Sequence, residues 1–145
     1  MAFIKEGSIS VRSRIEDMDE NGLVTDGETV QSESEGFVRF GEDEVLITYT
    51  EGEGEQKSFS QVSVRGESVT VQRRGASESS ICLKLGHKHQ SVYKVPPYSF
   101  DMEVEALRIR NTLALAGGRL DLLYLRVIGG QKRRVRLTLD FAPKK

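Results

Sequence analysis

Two long strand-like runs lie back to back across Gly129-Gly130, between Gly118 and Phe141, and no other stretch so narrows what the chain can become. Val135, Leu137, Leu139 and Phe141 alternate with Arg134, Arg136, Thr138 and Asp140. That period of two makes one face of a strand apolar and the other wet. The partner run, Leu120 to Ile128, is apolar on nearly both faces, which predicts a central strand with something packed on each side. Together the two runs read as a β-hairpin.

The preceding chain repeats this grammar. Ile9, Val11 and Ile15 share a face opposite Ser10, Arg12 and Arg14, giving a first strand of about eight residues before an acidic turn from Glu16 to Gly22. The run Thr29 to Phe40 places Val30, Ser32, Ser34, Gly36, Val38 and Phe40 on one side, and such small residues imply a crowded interior or a bend. Further runs are Val45 to Thr50, Phe59 to Val64, Val69 to Arg73, Ile81 to Leu85, Gln90 to Val95 and Met102 to Asn111. Gly41-Glu42-Asp43, Glu51 to Glu55, Gly66 and Ala116-Gly117-Gly118 supply turns between them. About ten strands follow at a spacing of roughly 8–12 residues, without a helical period, as in a sandwich or barrel. An antiparallel up-and-down sheet closed on itself, or nearly so, with about 8–10 strands leaves no long edge to aggregate.

At 145 residues the chain is expected to form a single domain over 1–145, large enough to bury a core without metals or disulfides. No apolar run approaches the roughly 20 residues of a membrane helix, and residues 1–7 lack the apolar core of a signal peptide. A lone cysteine, Cys82, fits a reducing compartment, so the expected location is cytoplasmic, with no membrane partner. Charge is segregated: residues 1–70 hold 6 Lys and Arg against 16 Asp and Glu, and residues 71–145 hold 15 against 6. In a closed sheet, acidic early strands beside basic late ones would neutralise each other.

Short motifs spread over Ile9 to Phe141 carry a resemblance. Arg74-Gly75, Leu85-Gly86, Tyr93 leading into Pro96-Pro97-Tyr98, Thr112, Gly117-Gly118 and the Leu120, Leu122, Tyr124 alternation resemble the YwiB-like family of bacterial proteins. Tyr49 and Glu51 match its tyrosine-x-glutamate signature. The resemblance implies a calycin-like, lipocalin-like β-barrel, without an established biochemical function. Two positions depart from the pattern: Ser99 replaces a glycine after the turn, and Val95-Pro96-Pro97 stands for its threonine-proline step.

Few constellations could carry chemistry. His87 and His89 would share a face of an extended segment, but a third metal ligand is missing from the neighbourhood. Cys82 has no recognisable base, and Asp101, Glu103 and Glu105 line a strand face opposite Met102 and Val104, where three solvated carboxylates do no acid–base work. The glycine pairs join strands rather than opening helices, so no phosphate loop is formed. No catalytic role, metal or other cofactor is therefore expected. Lys132, Arg133, Arg134 and Arg136 form a basic cluster with only Phe141 nearby to stack a base, and nucleic acid is not the expected partner.

Strand parity supplies the sharper expectation. Arg133 follows Val135, Leu137 and Leu139; Arg73 follows Val69 and Val71; Tyr124 and Arg126 follow Leu120 and Leu122. All four would face the barrel interior. Two readings stay open: the arginines cap a barrel end with their heads in water, or Tyr124, Arg126, Arg73 and Arg133 contact a small lipophilic or anionic ligand. A filled structural or protein-interaction barrel is the corresponding alternative function. The sequence leaves the oligomeric state open.

Overall fold

Each alternating run becomes a strand, and neighbours in sequence become neighbours in space. The computed structural model describes residues 2–144. Its strands are β1 (Phe3–Met18), β2 (Val24–Phe40), β3 (Val45–Glu51), β4 (Ser58–Arg65) and β5 (Ser68–Gly75), followed by β6 (Glu78–Lys84), β7 (Lys88–Val95), β8 (Tyr98–Asn111), β9 (Gly118–Ile128) and β10 (Gln131–Pro143). One 3-10 turn, Gly54–Gln56, interrupts the all-β pattern. Every strand pairs antiparallel with its sequence neighbours, and β1 pairs with β10 to close an up-and-down barrel of ten strands. Gly129 and Gly130, at φ of 57° and 79°, make the tight β9–β10 connection, a conformation that a Cβ would oppose.

Inward residues of all the strands except β7 build one core, in which Val38, Ile47, Val62, Val69, Leu120 and Leu122 are fully buried. Gly36 is where β2 packs tightly between its neighbours β1 and β3. A Cβ there would lie 2.4 Å from the Thr48 carbonyl oxygen and 2.9 Å from Ile9 Cγ1, so the small residues of β2 serve close approach.

Three expectations need correction. β1 and β2 are longer than their apolar alternation, because their pairing continues through Asp17 and Asp26 into a ribbon whose β2 side is exposed on both faces from Val24 to Gln31. The acidic turn correspondingly begins later, at Asp19. β9 is central between β8 and β10, but no second layer covers it. Its outward Leu123 and Leu125 are half-buried beside their register partners Arg136, Arg108 and Arg134, whose aliphatic stems can cover apolar surface.

The wall is uneven. β2 pairs with β3 only from Phe37 to Phe40, and β6 pairs with β7 only at Glu78–Lys94 and Ser79–Tyr93. Beyond those pairs the Ser91 hydroxyl donates to the Ser80 carbonyl across the parting strands. The β7–β8 hairpin carries a cis bond between Pro96 and Pro97 near its tip, and its Tyr93 packs against the core.

Candidate functional site

Polar side chains of inward parity gather at the end of the barrel that carries the β1–β2, β3–β4, β5–β6, β7–β8 and β9–β10 turns. β9 points Tyr124 inward beside Val135 and Ala106, and Arg126 one step nearer the rim beside Arg133 and Val104. β10 places Arg133 opposite Asp17 of β1, and its Nε donates to the Asp17 carboxylate at 2.9 Å. On the opposite wall Arg73 donates to Glu51 at 3.0 Å, and Ser32 donates to the second oxygen of that carboxylate. Arg126 differs from both: half-buried, it has no hydrogen bond or ion pair among the described residues.

Tyr49 and Ser60, register partners that are each only 2% exposed, turn their hydroxyls towards each other, and the buried Ser34 hydroxyl meets no hydrogen-bond partner. Burial raises the Tyr49 phenol well above its ordinary value, and the neighbouring Glu51 charge adds to the effect. Burial also raises Tyr124, against the opposing fields of Arg126 and Arg73. Both phenols are therefore held protonated, as hydrogen-bond donors. The end of the lumen thus presents a cation without a carboxylate near buried phenols, a combination that can receive an anion.

Of the four residues expected to face inward, Arg126 and Arg73 both act electrostatically on Tyr124, and Arg133 lies next to Arg126 in register at the rim. Sequence reading missed Tyr49, Ser60 and Glu51 as parts of this site. Their signal was available, since Tyr49 follows Ile47 and Ser60 follows Val62 in parity. His89 was weighed as a metal ligand with His87, yet the two do not share a setting. His87 lies in an exposed turn, whereas His89 is half-buried on β7 opposite Val104, in the register row of Arg126. Among the described residues no three His, Cys, Asp or Glu side chains converge as a metal site.

The basic cluster is largely neutralised. Arg134 meets Glu16 at 2.8 Å, and Arg136 meets Asp121 at 3.1 Å. Where β6 and β7 part, a cleft of about 300 Å³ opens, lined by Arg73, Ser79, Ser80, Ser91 and Lys94 among others.

A closed antiparallel up-and-down barrel with its polar groups collected at one end is the class these observations define. The chain belongs to the family described as a domain of unknown function, DUF1934, which matches residues 9–139. The crystal structure of the ywiB protein from Bacillus subtilis has a similar fold, with a TM-score of 0.79 at 19% identity over 97% of this chain and 94% of that one. The YwiB-like resemblance seen in the sequence motifs thus holds at the level of the family. No curated protein matches.

Proposed function

We propose that this protein is a cytoplasmic binding module, not an enzyme, whose barrel holds a small, partly apolar anion at its polar end. Arg126 carries the reading. A half-buried guanidinium without a carboxylate is costly to maintain, and here it lies in the electrostatic neighbourhood of the Tyr124 phenol, kept as a donor. Calycin-like barrels offer the same arrangement as fold-level analogy. A free Cys82 suits a reducing compartment.

Native mass spectrometry of freshly purified protein, together with titration by the fluorescent anion anilinonaphthalene sulfonate, tests the proposal. A co-purifying small molecule, or dye binding that Arg126→Gln weakens about tenfold, is expected. Finding neither a bound mass nor Arg126-dependent dye binding would overturn it. The pairing of Arg73 with Glu51 and Arg133 with Asp17 favours the second reading, a filled structural barrel capped by ion pairs. That reading predicts no ligand and a clear fall in melting temperature when Arg126 is replaced.

A further inference from the structure

Building on the binding reading, we propose that the ligand is an aryl monocarboxylate whose carboxylate meets Arg126 and the phenols of Tyr49 and Tyr124. Its flat body lies outward along Tyr93 and Phe100 of the β7–β8 hairpin.

Strand register lays out the track. Tyr49 pairs with Ser60, Ser60 with Arg73, Arg73 with Ser79, Ser79 with Tyr93 and Tyr93 with Phe100. Directly opposed residues project to the same side of a sheet, so these six form one continuous inward-facing row across β3 to β8. The row climbs from buried Tyr49 to Phe100, which is 43% exposed. Tyr98 extends it at the hairpin tip, 66% exposed, with its ring 6.4 Å from that of Phe100 and inclined by 31°. An exposed aromatic surface in register with the polar end of the lumen suits a ligand that has a charged head and a ring.

The direction of the body follows from packing. Towards the other end the lumen is filled, with Val38, Ile47, Val62, Val69, Leu120 and Leu122 at 0% exposure. A long acyl chain has no room to descend. Outward, the row stays accessible: Phe100 and Tyr98 near the hairpin tip are 43% and 66% exposed.

The charge of the head follows from the local balance. Arg73, Arg126 and Arg133 face Glu51 and Asp17, which are already engaged by Arg73 and Arg133. One positive charge is left over. The exposed Asp26 and Glu28, on the same side of the β1–β2 ribbon further out, would repel a second negative charge. A single carboxylate matches this field better than a phosphate dianion.

Isothermal titration with naphthoate, naphthyl phosphate and naphthamide tests the assignment, with anilinonaphthalene sulfonate as a control for anion binding in general. Naphthoate is expected to bind about tenfold or more tightly than either relative, and Arg126→Gln is expected to erase that advantage. Phe100→Ala, a change at an exposed position, is expected to weaken naphthoate roughly threefold to tenfold without moving the melting temperature. Naphthyl phosphate binding as tightly as naphthoate, or Phe100→Ala without effect while the sulfonate dye still binds through Arg126, would overturn the aryl-carboxylate assignment alone. Failure of naphthoate, naphthyl phosphate and the dye to bind would instead overturn the binding module itself.

Discussion

Asp121 and Arg126 stand on opposite faces of β9 in contrasting electrostatic settings. Asp121 is buried on the outer wall, yet satisfied: Arg136 grips both its oxygens at 3.2 and 3.1 Å, Thr138 donates at 3.1 Å, and Arg108 lies 3.6 Å away. Burial pulls its carboxyl upward, but the hydrogen bonds and charges of Arg136 and Thr138 outweigh that and hold it below its ordinary 3.8. A hydrogen bond from Arg134 likewise lowers Glu16 from its ordinary 4.5. A depressed folded-state pKa stabilises above the unfolded value, so both contributions are whole at neutral pH and are lost as pH falls below about 4. Asp121→Asn is expected to cost about 1–3 kcal/mol at neutral pH and to flatten the acid side of a denaturation profile measured in urea. An unchanged acid limb would show that Asp121 does not carry it. Arg126 lacks such partners, and Arg126→Leu is expected to keep or raise the melting temperature, because an apolar side chain of similar size relieves its desolvation. Anilinonaphthalene sulfonate binding should fall in the same variant.

Strand existence and order were legible in the period-two pattern, since burial of one face leaves alternation in the residues themselves. Strand length was not. The β1–β2 ribbon continues through register pairs such as Arg14–Thr29 and Glu16–Gly27, where β2 is wet on both faces and carries no alternation to read. Gly36 marked a crowded position, and the structure supplies the reason in the Thr48 carbonyl beneath it. Gly36→Val should destabilise the barrel by about 1–3 kcal/mol in chemical denaturation, because its Cβ would meet backbone rather than a movable side-chain tip. Little loss would mean that β2 and β3 can separate at their short junction. Of the site, parity set Tyr124, Arg126, Arg73 and Arg133 on the core-bearing face of their strands, and the structure buries Tyr124 there. Parity could not say which of them find carboxylates, because Asp17 and Arg133 are far apart in the chain.

Closure joins the first and last strands, so the β1–β10 seam forms only when the whole chain has been organised. Its ion pairs bring the acidic early half against the basic late half: Glu16 with Arg134 and Asp17 with Arg133. Removing β10 would strip both β1 and β9 of a partner and expose two strand edges. A chain ending before Gln131 is expected to aggregate or to lose its sheet spectrum, as monitored by size-exclusion chromatography and circular dichroism. A monomeric, folded product would show that closure is dispensable. An all-β barrel completed by one pairing across nearly the whole chain should also fold on the millisecond-to-second scale.

The sequence by itself determined the all-β class, the number and order of the strands, and which side chains turn inward, because those properties are local to a pleated backbone with one apolar face. Tertiary structure alone decided the partners. Glu51 reaches Arg73, Asp17 reaches Arg133, and Arg126 is left without a carboxylate, as the geometry of closure and stagger sets which distant strands meet at one level. Five successive strand pairings set the row that runs from Tyr49 to Phe100, since a register spanning six strands is a property of the assembled wall and has no trace in any one segment.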